Sequence, residues 1–336
     1  MARPRWSGLV GLVLAGGLGW ACGGGVADAE VGAPTPDTTG VDTFDTISDA
    51  PLPDSAETSD ETVAPPPWMP AAPVEAEQVF PELMSSEGLA VDGQGRFLLT
   101  ANDALLRLDQ AGNLETLAAI PKAPGMPTVG FAGVAWHPSW GAVFAQTTGD
   151  RLYQWTDADG LVQIGDPIGK GPNGVLFDGE GHLLVSLSTD GAVVRLDTPE
   201  APPVTLVEGI SFANGLALSP DGATLYVAST SKGAVYQVPL AGESPYVATV
   251  LSNDALFAGA DGLLLSPDGW LLVASWSKGR VVAYELATGA TRVVSDAPAE
   301  NLRHVANLAF GPGGDLDAGC LFATRLNEAG LVRICP

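Results

Sequence analysis

One phrase recurs six times along this 336-residue chain, and it constrains the fold more than any other feature. It reads "EGLAVDGQGRFLLT", "AGVAWHPSWGAVFAQ", "NGVLFDGEGHLLVS", "NGLALSPDGATLYVA", "DGLLLSPDGWLLVA" and "ANLAFGPGGDLDAGCLFA". Each copy alternates apolar and small residues at period two around a Gly-containing turn, the pattern of two antiparallel strands. A third strand follows each copy ("AVVRLD", "AVYQVPL", "RVVAYEL"), and in most units a fourth ("PVTLVE", "ATRVVSD"). Aligning the copies stacks Glu87, Ala132, Asn173, Asn214, Asp261 and Ala306 in one column, with steps of 45, 41, 41, 47 and 45 residues. Four short strands per unit at that period specify an all-β chain, a six-bladed β-propeller of four-stranded blades, and disfavour a helical solenoid.

The sixth unit runs out at Pro336 before an outer strand, while "VEAEQVF" precedes the first unit without a partner. Adding that segment to the last unit would close the ring and remove its open edge, so the propeller is expected over residues 70–336. Residues 1–22 read as a signal peptide: Arg3 and Arg5 precede the apolar run "WSGLVGLVLAGGLGWA". The "LGWAC" that ends in Cys22 resembles a bacterial lipoprotein cleavage site, with a cut after Ala29 in "ADA" as the alternative. Residues 23–69 are rich in Asp, Thr and Pro and too polar to fold, so they form a disordered tether. The expected protein is therefore exported. It is a cell-envelope lipoprotein that meets the membrane through its lipid, or else a periplasmic or secreted protein. Fifteen basic against 39 acidic residues give a net charge of -24, which excludes a nucleic-acid partner. Cys320 and Cys335 would lie opposite each other if Asn327 and Glu328 form a hairpin tip. In an exported protein that suggests a disulfide, with two buried thiols as the alternative.

Inner strands line the channel of a propeller, so the column residues converge on one mouth. Glu87, Asn173, Asn214 and Asp261 are hard-oxygen donors, and Ala132 and Ala306 leave space beside them. Oxygen donors in register, two of them carboxylates, suit a divalent cation of the calcium type. The absence of His or Cys from the column argues against zinc. The alternative for each Asn-Gly or Asp-Gly is a plain turn. Trp276, in a turn at the same mouth, is either a substrate wall or inter-blade packing. His304, just before the sixth column position, is a candidate substrate contact or acid/base group. Asn102 and Asp103 read as solvated turn residues, and neither His137 nor His182 reads as catalytic. No G-x-S-x-G, P-loop or H-E-x-x-H motif is present.

The residues "EGLAVD", "PNGVLFD", "NGLALSPDG" and "DGLLLSPDGWLLVASWSKGRVV" resemble the gluconolactonase/regucalcin family of six-bladed propellers, whose relatives include paraoxonases and strictosidine synthase. The resemblance implies that Glu87, Asn214 and Asp261 hold calcium or a similar ion. It also implies that Asn173 ligates the ion or contacts substrate or water. Two departures stand out. Gly171 and Gly174 replace the Arg and Asp that gluconolactonases carry around the third-blade Asn, with Lys170 as a possible substitute. Ala132 replaces the catalytic His of paraoxonases. The implied activity is metal-dependent hydrolysis of a small-molecule lactone or ester by a monomer, with Asp261 orienting or deprotonating water. The alternatives are a non-catalytic binding propeller with a structural ion and a strictosidine synthase-like lyase.

Overall fold

Six four-stranded antiparallel sheets follow one another in a computed structural model that describes residues 68–120 and 130–336. Their inner strands are Leu89–Val91, Phe131–His137, Pro172–Phe177, Ala213–Leu218, Ala260–Leu265 and Val305–Phe310, in blades 1 to 6. Each inner strand packs beside that of the next blade, and the sixth packs beside the first, so the ring is closed. The signal peptide, Cys22 and almost all of the tether lie outside the described residues.

Closure uses the segment that the repeat left over. Ala76–Val79 pairs antiparallel with Leu331–Ile334 as the outer strand of blade 6, in the register Ala76↔Ile334 to Val79↔Leu331. The segment ahead of it is fixed too: Trp68 Nε1 donates to the Gly319 carbonyl at 3.1 Å, and the Trp68 ring meets Phe310 edge-on at 5.1 Å. Cys320 and Cys335 form a disulfide across the hairpin Leu321–Arg325 and Leu331–Ile334. That bond lies at the end of blade 6 opposite the column residues.

The apolar alternation explains why the blades stack. There are six clusters of buried apolar side chains, one in each blade-to-blade interface. A second strand such as Leu183–Leu187 is buried along its whole length. Leu183 and Val185 face blade 2, while Leu184 faces blade 4. A strand covered on both faces reads as a near-continuous apolar run, as in "LLVSL", broken only by Ser186.

At the channel the inner strands depart from regular pairing. In blades 2 to 6 the register shifts at the column residue and its successor, as between Ala213↔Ser229 and Leu216↔Val227, where one extra residue forms a β-bulge. A bulge redirects a side chain, and here it falls on every column residue from Ala132 to Ala306. The residue after each column residue is Gly88, Gly133, Gly174, Gly215 or Gly262 in blades 1 to 5. A Cβ on any of these would lie 2.3–2.6 Å from the carbonyl oxygen of the next blade's column residue. In blade 6 the position is Asn307, and the junction to blade 1 is a hydrogen bond: Thr324 Oγ1 donates to the Glu87 carbonyl at 2.5 Å. Gly215→Ala should therefore destabilise the domain by about 1–3 kcal/mol through overpacking. Gly222→Ala is a useful comparison, because its Cβ would meet nothing within 4 Å and only the φ of +68° opposes it. Denaturant unfolding should show the larger loss at Gly215.

Candidate metal centre

Four of the column side chains carry oxygen donors at one mouth of the channel: Asn173, Asn214 and Asp261 at bulges, and Glu87 in the loop before Leu89. Asn173, Asn214 and Asp261 are 7%, 5% and 7% exposed, and Glu87 is half-buried. Ala132 and Ala306 are buried and contribute no donor. Burial pushes the Glu87 carboxyl up to about 7 from an ordinary 4.5. Asp261 is held well above the usual carboxylate range by burial first and by the Glu87 charge second, against a hydrogen bond from the Asn214 side chain that opposes the shift. The Glu87 charge acts on Asp261, so the two carboxyls share one poorly hydrated space.

Hydroxyl groups at the ends of the second strands hold this arrangement, and they were not singled out in the sequence. Thr230 Oγ1 accepts from Asn214 Nδ2 at 3.0 Å and donates at 2.8 Å to the carbonyl of Ala260, the residue before Asp261. The amide nitrogen of Asn214 is thus engaged, which leaves its carboxamide oxygen for the channel. Thr147 Oγ1 donates to the Pro172 carbonyl at 2.9 Å, and Ser188 Oγ to the Ala213 carbonyl at 2.7 Å, each one residue before a column Asn. The signal was present as the hydroxyl residues after "VFAQ", "LVSL" and "YVAS". Nothing local says, however, that they reach the next blade.

In blade 5 the same position is Trp276. Its ring stacks on His304 of blade 6, with centroids 5.0 Å apart and planes at 21°. Trp276 therefore packs between blades 5 and 6 at the mouth. The stack leaves Trp276 Nε1 and His304 Nδ1 buried without a hydrogen-bond partner, and Glu328 Oε1 is 3.7 Å from the latter. Asn102 is a left-handed turn residue. His137 packs on Phe177, with ring centroids 5.0 Å apart, and His182 Nδ1 pairs with Asp178 at 2.9 Å. Lys170 uses its backbone N–H to donate to Asp190 Oδ2 at 2.6 Å, and its side chain is exposed. Among the described residues no group of three or more His, Cys, Asp and Glu gathers as a cation site. The column's donor set has two carboxylates and two carboxamides.

This geometry has known counterparts. The family described as the SMP-30/gluconolactonase/LRE-like region matches residues 70–324. The chain belongs to that family. Lactonase drp35 of Staphylococcus epidermidis is 29% identical over 152 residues, covering 43% of this chain and 46% of that protein. The chain thus matches about half the length of this curated relative. Two solved structures share the fold, each at a TM-score of 0.61. A gluconolactonase from Xanthomonas campestris is 16% identical, with 77% of this chain and 88% of that one covered. A calcium-binding protein, regucalcin, from Agrobacterium tumefaciens is 19% identical, with 78% and 93% covered.

For this SMP-30/gluconolactonase/LRE-like protein free of metal, the carboxylate pair sets a pH dependence. The Glu87 pKa is raised from 4.5 to about 7, so folding favours its protonated form. That contribution is complete below about 4.5 and is lost as pH rises through about 7. Chelator-treated protein should lose on the order of 2 kcal/mol of unfolding free energy between about pH 5 and pH 8. Glu87→Gln should flatten that slope.

Proposed function

We propose that this protein is a metal-dependent hydrolase of a lactone or related ester, exported and tethered through Cys22. One observation carries the reading: Glu87 and Asp261 are brought together out of water with carboxamides for company. Both pKa values are raised, and no Lys, Arg or His contributes to either shift. Such a pair is completed by a cation, and the all-oxygen donor set fits calcium better than zinc. Glu87, Asn173, Asn214 and Asp261 would hold the ion. When bound, it would supply Lewis-acid polarisation of a carbonyl and offset the negative charge that develops during attack.

The chain's own groups then have distinct tasks. Asp261 has two oxygens, so one can anchor while the other takes a proton from water. Asn214, braced by Thr230, keeps its oxygen toward the channel. Asn173, in the inner strand Pro172–Phe177, would orient water or substrate. The similar proteins, a lactonase, a gluconolactonase and a calcium-binding protein, support both halves of this reading. The propeller fold alone supports neither, because propellers host unrelated activities. A binding module with a structural ion is the second reading, favoured by Ala132 and Ala306, which add no reactive group to the mouth.

Steady-state assays on a lactone panel separate the two. Asp261→Asn should lower kcat by more than about 100-fold, the usual scale for a lost general base. Glu87→Gln should instead act through the ion, weakening calcium binding by calorimetry, with activity recovering at high calcium. Activity that ignores both substitutions and a chelator would reject the metal-dependent mechanism, and no turnover of any lactone would favour the binding module.

A further inference from the structure

Two residues before each column position the backbone turns left-handed in blades 2 to 6: Gly130, Gly171, Phe212, Gly259 and His304, with φ of 64°, 67°, 52°, 72° and 54°. A repeated hydrogen bond imposes this. The carbonyl of each accepts from the N–H at the end of its own blade's second strand, from Thr147, Ser188, Thr230, Trp276 and Leu326 respectively. Glycine suits such a φ, whereas a side chain is strained there. Three blades use glycine and two do not. His304 is accounted for by its stack on Trp276. Phe80, another aromatic residue with positive φ, packs on the core between blades 1 and 6. Phe212 has no such compensation, because its residue is strained and 46% exposed.

Phe212 lines an open depression of about 570 Å³ between blades 3 and 4, on the mouth that carries Asn173 and Asn214. Several of the polar groups around it are engaged. Ser188 Oγ donates to the Ala213 carbonyl at 2.7 Å, and Asp190 Oδ2 accepts from Lys170 N at 2.6 Å. Ser211 and Ser231 bond each other at 2.9 Å. An apolar group would find the Phe212 ring here.

Building on the proposed lactonase reading, we infer that Phe212 is a specificity-determining residue. It is the wall of a subsite that takes an alkyl or aryl substituent of the lactone, so the substrate class is a lactone with an apolar substituent. The strained backbone holds the ring at the mouth, two residues from Asn214.

The test uses the full chain loaded with calcium and the variants Phe212→Gly and Phe212→Leu. Substrates are γ-lactones with no side chain, a butyl or a hexyl group, and non-hydrolysable γ-lactams with the same side chains serve for calorimetric binding. Phe212→Gly relieves the left-handed strain, so its melting temperature should not fall, and a folding defect cannot explain a loss. Its kcat/KM for the hexyl lactone should drop about tenfold through KM. The unsubstituted lactone should change less than twofold, and Phe212→Leu should keep most of the preference. Phe212-dependent binding of the hexyl lactam without turnover of any lactone would defeat the hydrolase reading and leave the subsite standing. Equal effects of Phe212→Gly on all side chains, in turnover and in lactam binding, would overturn the subsite. So would a clear fall in its melting temperature.

Discussion

The approach of one blade's backbone to the next at the channel is the constraint on which everything else rests. A glycine after the column residue lets the following blade's carbonyl come where a Cβ would otherwise stand, 2.3–2.6 Å away, at five of the six junctions. Close packing of this kind tolerates no added methyl. It draws the inner strands together, and the bulge at the same residues directs the column side chains into the narrowed space. The hydroxyl contacts from Thr147, Ser188 and Thr230 are reachable because the blades are so close. A looser ring would keep its interface cores and lose its site.

The unfavourable features of the molecule gather at that mouth. Two carboxylates face each other away from water, Phe212 and His304 hold left-handed backbone, and Trp276 Nε1 is buried without a partner. Strain and unmet polar groups persist where the surroundings over-determine them, and they cluster at functional sites. Here the surroundings are six apolar interfaces, and the seam is fastened at blade 6 by the strand Ala76–Val79 and by the Cys320–Cys335 disulfide. The disulfide lies at the end of blade 6 opposite the column residues.

Much of this was legible in the residues. The period-two phrase and its spacing identify six blades, the unpaired "VEAEQVF" identifies the closing strand, and the column identifies Glu87, Asn173, Asn214 and Asp261 as neighbours. These inferences succeed because strand alternation and turn chemistry are local, and because a repeat places equivalent residues on equivalent radii. Trp276 shows where such reasoning stops. Its position in a mouth turn was readable, but its stack on His304 of the next blade was not.

By itself, then, the sequence determined the number of blades, the way the ring closes and which side chains reach the mouth. Only the tertiary structure decided how those side chains are aimed and what they experience. The bulges, the left-handed residues and the clasps from Thr230 and its counterparts are set by bonds between separate strands and blades. The raised Glu87 carboxyl arises from burial, and that of Asp261 from burial first and then from the Glu87 charge, 174 positions away in the chain. Desolvation and charge repulsion belong to the space between residues, and that space exists only once the ring has closed.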